Sequence, residues 1–315
     1  VKKLLVTGAG GLLGKAICTV AQNDFDVISL KREDCDLINF QDTKAIFNYV
    51  KPDYVIHTAA VVGGIGSNMN HPGKFFCSNI AINTNILECA RLVNVKKLIS
   101  FLSTCVFPDN APYPLSVENI HDGPPHPSNA AYAHAKRMLD VQSRAYRTEY
   151  GCDFITLVPT NLYGFHDNWD IENGHVIPSL IHKAFIAKKE EKPLIVWGSG
   201  KPLREFIFVD DMANISLRCF SEYISADPLI ISTSEEVSVG KVAEKIAKRV
   251  GVKCIFDTDK PDGQMRKPSD NSVFKEIFPD FVFTSLKQGL GHTINEFEYH
   301  WINKLPMRGV SYDNK

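Results

Sequence analysis

The feature that most narrows the fold of this chain lies in its first fourteen residues. Lys3–Thr7, an unbroken β-prone run, passes directly into Gly8-Ala9-Gly10-Gly11-Leu12-Leu13-Gly14 and then into a helical pattern. A strand, a glycine turn and a helix in succession aim backbone N–H groups at a helix N-terminus, where a pyrophosphate can approach them. The G-x-G-x-x-G spacing fails, because its last position would be Leu13, but Gly8-x-x-Gly11-x-x-Gly14 is intact. A glycine cluster alone is often only a turn; the strand before it and the helix after it make it a nucleotide site.

The alternation continues for half the chain. Strands are predicted at Lys3–Thr7, Asp26–Leu30, Tyr54–His57, Lys97–Leu102 and Phe154–Val158, with helices near 12–22, 40–50, 72–94 and 128–150. Right-handed crossovers then give an α/β fold, a doubly wound parallel sheet. Six prolines between Phe107 and Asn129 predict a loop beside the pocket. After Gly164 the rhythm weakens: helices at Val176–Lys189, Asp210–Tyr223 and Val239–Val250 mix with strands at Leu194–Trp197, Phe206–Val209 and Lys253–Asp257. The expectation is a nucleotide-binding domain over 1–164, with a return segment near 194–223, and a smaller C-terminal α/β domain over 165–315 for substrate. The tail after Trp301 reads as surface. The chain's 315 residues leave room for both.

Charge and apolar patterning exclude several classes. With 35 Lys and Arg against 36 Asp and Glu, no net positive field holds a nucleic acid. The longest apolar stretches, such as Val55–Gly66 and Val95–Val106, fall short of the roughly 18 residues a bilayer span needs. Val1-Lys2-Lys3-Leu4 enters the strand pattern with no room for a signal segment. Eight scattered cysteines without C-x-x-C spacing suggest neither a metal site nor a disulfide scaffold. A cytoplasmic protein is expected, with no metal.

Tyr132 and Lys136 are four residues apart, on one face of a helix, where the ammonium can lower the phenol's pKa. Ser103 ends the preceding strand, and Cys105, two residues on, lies on the same side if the strand continues. Cys105 is otherwise one of eight apolar cysteines. Lys31-Arg32 follow the second strand, where an NAD enzyme usually carries a carboxylate; cations there favour the 2′-phosphate of NADP, the alternative being a solvated pair beside Glu33 and Asp34.

Thr7 with the glycine spacing, Ser103, and Tyr132-x-x-x-Lys136 together resemble the short-chain dehydrogenase/reductase superfamily, and so imply a Rossmann-type domain and a Ser–Tyr–Lys triad. In that triad Tyr132 donates the proton to a carbonyl under reduction, Lys136 holds its pKa down and grips the nicotinamide ribose, and Ser103 binds the carbonyl oxygen. The 4,6-dehydratases of the superfamily carry an acidic pair where this chain has Cys105 and Val106, which disfavours a dehydratase.

Three further runs narrow the resemblance: Pro159-Thr160-Asn161-Leu162-Tyr163-Gly164-Phe165-His166-Asp167-Asn168, Gly174-His175-Val176-Ile177-Pro178, and Trp197-Gly198-Ser199-Gly200 with Arg204-Glu205-Phe206 and Asp262-Gly263-Gln264. With Ser103-Thr104-Cys105 they resemble the GDP-L-fucose synthase family, the GDP-4-keto-6-deoxy-D-mannose 3,5-epimerase/4-reductases, over nearly the whole chain. Phe165, usually Pro, and Lys183, Arg in some members, depart from the pattern.

The resemblance implies Cys105 as base and His175 as acid in epimerising C3 and C5. It implies NADP(H) contacts from Gly8, Gly11, Leu12, Leu13 and Gly14; from Arg32, Asp36, Leu37 and Ala59; and from Pro159, Asn161, Leu162, Ser103, Tyr132, Lys136 and His175. For the GDP-sugar it nominates Lys183 and Arg204 on the diphosphate, Trp197 as a wall and Asp262 as a further contact. Taken singly, His175 is an N-cap or a buried histidine, Trp197 a core residue and Lys183 a solvated charge. A homodimer through the 72–94 and 128–150 helices is the family expectation. The rival readings are a 4-epimerase with the same triad, disfavoured by Cys105 and His175, and an idle NADP(H) sensor, disfavoured by the retained Tyr132 and Lys136.

Overall fold

Apolar residues on both parities of each early strand require a sheet covered on both faces, and that is what forms. The computed structural model describes residues 1–260 and 262–312. In chain order the strands and helices are β1 (Lys2–Thr7), α1 (Leu12–Ala21), β2 (Phe25–Leu30), α2 (Phe40–Val50), β3 (Tyr54–His57), α3 (Ile65–Asn70), α4 (Pro72–Leu92), β4 (Lys97–Phe101), α5 (Ala130–Tyr150) and β5 (Phe154–Pro159). There follow β6 (Asn161–Tyr163), α6 (Val176–Lys189), β7 (Leu194–Trp197), β8 (Leu203–Phe208), α7 (Val209–Glu222), β9 (Leu229–Ile231), β10 (Glu236–Ser238), α8 (Val239–Val250), β11 (Cys254–Asp257), α9 (Ser272–Ile277) and α10 (Leu286–Ile302).

Six parallel strands form the main sheet in the order β2-β1-β3-β4-β5-β9. The order reverses beside β1, so a crevice opens past the carboxyl ends of β1 and β3. Leu4, Val6, Ile56 and Ile99 face one core with α1 and α7, while Leu5, Val55 and Leu98 face another with α4 and α5. This is the period of two expected of strands buried on both faces.

Sequence and structure agree closely on α2, α6, α8, β3 and β7. They differ where the later chain changes sheets. β8 starts at Leu203 and joins β6 and β10 in a three-stranded sheet, β7 pairs with β11, and the chain returns to the main sheet through α7 and β9. The tail after Trp301 is not bare surface. Met307 and Val310 pack on the third core, around Trp169, Phe185 and Phe297, and the Tyr312 hydroxyl donates to the carbonyls of His300 and Leu305 at 3.1 and 2.8 Å.

One polar chain crosses the main core behind the crevice. His57, at the end of β3 and 1% exposed, bonds through Nδ1 to Thr7 Oγ1 at 2.7 Å and through Nε2 to Asn83 Oδ1 at 3.1 Å. The Asn83 amide donates to the Ala135 carbonyl at 3.2 Å, so its oxygen faces the ring, Nε2 carries the proton and Nδ1 accepts from Thr7. Burial, with the nearby Lys136 cation, pushes the His57 pKa from 6.5 down to about 3.

The folded state therefore refuses a proton that the unfolded chain takes up below pH 6.5. Stability is expected to fall with pH through the window from 6.5 to about 3, at up to about 1.4 kcal/mol per pH unit from this group. Denaturant midpoints at several pH values should show a flatter acid limb for His57→Gln, although that variant is less stable at pH 7; parallel limbs would refute the assignment.

Candidate functional site

The turn after β1 is built by close approach. Gly8 has a φ of 70°, and a Cβ there would lie 2.7 Å from the Ala59 backbone at the end of β3. At Gly14 a Cβ would collide with the Gly8 carbonyl, whereas around Gly10 space is open. Gly11 occupies the N-cap of α1 with no side-chain cap, and no acidic residue stands in the first turn. The first helical N–H groups, Leu12 and Leu13 among them, are left to a ligand. Leu13 itself is buried in the core below.

Beyond β2, Lys31 lies 3.9 Å from Glu33, while Arg32 is exposed and has no ion-pair partner among the described residues. Asp36 is exposed, its Oδ1 accepting from the Ile38 N–H at 3.1 Å. Leu37 is buried with Cys35 and Phe47, so only its backbone edge is left for an adenine. Pro159 pairs with β9, the Asn161 amide donates to the Glu205 carbonyl at 2.9 Å, and Leu162 packs on the first core. An uncapped helix terminus, a glycine cradle and a free arginine fit the pyrophosphate and 2′-phosphate of a dinucleotide.

Ser103, Cys105, Tyr132 and Lys136 come together at the carboxyl end of β4. The strand stops at Phe101, and Thr104–Val106 form a 3₁₀ turn in which the Ser103 hydroxyl accepts from the Cys105 N–H at 3.5 Å. The extended strand end expected from sequence is thus replaced by a turn. Cys105 stays tied to the triad through that bond to Ser103, and its thiol raises the pKa of both Tyr132 and Lys136.

The electrostatics also correct the sequence reading. Lys136, 4% exposed, donates to the Phe101 carbonyl at 2.9 Å, its Nζ 6.0 Å from the Tyr132 ring centre. Burial lowers its pKa to about 8. Tyr132, edge-on to Phe75, is pushed well above its ordinary value by burial and by Cys105, rather than down by the lysine. Burial likewise raises the Cys105 thiol, against opposing effects of Ser103, Lys267 and Lys136.

His175 stands at the N-cap of α6, without a capping bond from its side chain. Its Nδ1 is 3.3 Å from Oδ1 of Asp167, a carboxylate only 4% exposed. The imidazole is 65% exposed, and the pairing with Asp167 raises its pKa. Lys183 places Nζ 4.7 Å above the Trp197 ring; Trp197 is 62% exposed, which rules out the core role. Asp262 accepts from the Ser199 N–H and hydroxyl at 2.8 and 2.6 Å. Arg204, half-buried on β8, bonds the Leu203 carbonyl at 2.7 Å.

Two residues escaped the sequence reading. Lys267 has its pKa lowered chiefly by burial, with Cys105 favouring its charged form and Arg204 opposing it. No periodicity or motif marks it, although it follows Asp262-Gly263-Gln264 closely. Asp167 lay inside a quoted run without a role. The proline-rich loop and the 262–270 segment also meet: Gln264 donates to the Tyr113 hydroxyl at 2.9 Å, and Leu115 exchanges backbone bonds with Pro268 and Asp270.

With this geometry in place, the chain belongs to the NAD dependent epimerase/dehydratase family, whose profile matches residues 4–231. It is 45% identical over 305 residues to a GDP-L-fucose synthase of Dictyostelium discoideum, covering 94% of this chain and 95% of that protein. Against the GDP-L-fucose synthase of Escherichia coli (strain K12) it is 33% identical, covering 95% and 96%. The crystal structure of a GDP-L-fucose synthetase from Naegleria fowleri bound to NADP matches with a TM-score of 0.92 at 41% identity, covering 97% of this chain and 95% of that one.

Asp167→Asn removes the carboxylate that favours the imidazolium, so His175 is expected to lose its proton at lower pH than in the parent. Histidine NMR titration, assigned with His175→Asn, measures this; an unchanged or raised midpoint would contradict the pairing.

Proposed function

We propose that this chain converts GDP-4-keto-6-deoxy-D-mannose to GDP-L-fucose, by epimerisation at C3 and C5 and NADPH-dependent reduction at C4. The observation that carries the reading is the thiol of Cys105 placed against a Ser–Tyr–Lys triad, in a chain that matches fucose synthases from end to end. A simple reductase or a 4-epimerase has no use for that thiol.

A ketone at C4 acidifies the hydrogens on both flanking carbons, so one pocket serves both inversions. Cys105 removes each proton and His175, its imidazolium stabilised by Asp167, returns one to the opposite face. Ser103 and Tyr132 hold the C4 oxygen while negative charge develops on it. Bound NADPH supplies hydride to C4. Tyr132, kept protonated by burial, then delivers its proton to the oxygen, and Lys136 offsets the phenolate that remains. Arg32 engages the 2′-phosphate, with Asp36, Leu37 and Ala59 along the adenosine side and Pro159, Asn161 and Leu162 along the nicotinamide side.

Lys183 and Arg204 provide the cations for the diphosphate, Arg204 with a fork suited to bidentate contact. Trp197 and Asp262 complete the wall on the C-terminal side, so that 1–164 holds mainly cofactor and 165–315 mainly sugar nucleotide. We place the protein in the cytoplasm as a homodimer through α4 and α5, which leave Phe76, Leu92, Met138 and Val141 exposed. Among the described residues no helix is long and apolar enough to cross a membrane.

Incubation with GDP-4-keto-6-deoxymannose and NADPH should yield the fucose nucleotide; another sugar product would overturn the reading. NADPH should be preferred over NADH, with the preference eroded in Arg32→Ala, and equal turnover of both by the parent would remove the role of Arg32.

The two chemistries separate in D₂O without NADPH. There Tyr132→Phe, unable to reduce, should still incorporate deuterium at C3 and C5, whereas Cys105→Ser should not exceed background. Parent-rate exchange by Cys105→Ser would assign the base to another residue.

A further inference from the structure

The C-terminal segment meets the loop that carries His175, and its contacts are specific. The Arg308 carbonyl accepts from the Trp169 N–H at 2.9 Å, two residues from Asp167. Gly309, with a φ of 82°, lies so close that a Cβ would stand 2.5 Å from Asn168 Oδ1 and 2.9 Å from the Asp170 Cα. The same loop is cinched by Asp170, whose Oδ1 accepts from the N–H groups of Glu172 and Asn173 at 2.9 and 2.6 Å, just before His175. Below, Tyr312 anchors the segment to α10, its ring 5.8 Å from that of Trp301. We infer that residues 307–310 are positioning residues for the Asp167–His175 pair: the Arg308 carbonyl and the Cβ-free Gly309 hold the 167–170 loop so that its carboxylate meets the imidazole.

The inference rests on the proposed role of His175 as the acid in epimerisation. Two charged groups act on that imidazole among the described residues. Asp167, from the loop after β6, favours the charged form, and Arg308, from the tail, opposes it. The buried carboxylate, 3.3 Å away, favours the protonated imidazole, so a displacement of the loop that lengthens this contact weakens the hold of His175 on its proton. The tail thus supplies the geometry of the loop, through the Arg308 carbonyl and Gly309.

Two variants test this. In Gly309→Ala the added methyl displaces the loop, so the NMR titration midpoint of His175 should move down, and deuterium exchange into the keto sugar should fall on the order of 10- to 100-fold, with the Kd for NADPH unchanged. In the double variant Gly309→Ala with Asp167→Asn the midpoint should move no further than in Asp167→Asn alone, because the tail acts through that carboxylate; a general loss of structure would add to it. Full exchange or an unmoved His175 midpoint in Gly309→Ala overturns the inference. If the midpoint moves as stated but the parent exchanges no deuterium, the tail's hold on the pair stands and the proposed reaction falls.

Discussion

Everything near the crevice depends on one neutral imidazole that cannot reach water. His57 joins the last residue before the glycine turn to α4, and Asn83 carries the connection on to α5 one residue before Lys136. Each bond in the chain is made in a dry interior, where leaving any member unpaired costs about 1–3 kcal/mol. The cradle formed by Gly8 and Ala59 and the helix that presents Tyr132 and Lys136 are therefore fixed relative to each other by polar contacts, with packing filling the space between. Apolar packing alone tolerates small slips; a fully satisfied hydrogen-bond chain does not.

The reacting groups show burial outweighing pairwise charge. Lys136 is close enough to Tyr132 to share its helix face, yet it donates to the Phe101 carbonyl and is itself pushed toward neutrality. The phenol and the thiol of Cys105 both sit above their ordinary pKa values. In this state the pocket stores its protons on Tyr132 and Cys105, which suits the donor of the reduction. The thiolate proposed as the base then depends on the lowering effects of the cations Lys267 and Lys136.

How much of this could be read from the sequence follows from the range of each interaction. The strand–glycine–helix opening, the period-two strands and the Tyr132/Lys136 spacing are local, and the structure places them close to their predicted bounds. Ser103 and Cys105 were legible as neighbours, but not the turn that seats them, because a 3₁₀ segment of three residues leaves no periodic trace. The short β6, β9 and β10, and the switch of β7 and β8 into sheets of their own, are decided by partners far along the chain. Asp167 and Lys267 act through space on His175 and Cys105, and their own neighbours in sequence carry no hint of it. The tail was misjudged for a related reason: its few apolar residues bury only because Trp169 and α10 are waiting for them.

The roof over the pocket has a different character from its floor. It is stitched by backbone bonds between Leu115 and the Pro268–Asp270 segment and by one phenol–amide contact between Tyr113 and Gln264, segments about 150 residues apart in sequence. Leu115 and Ser269 are buried there, so packing backs these few bonds, and opening the seam draws on contacts separate from those of the six-stranded sheet. Hydrogen exchange at the Leu115 and Asp270 amides reads the opening of this seam apart from that of the sheet, because each of the two amides is held only by the other segment.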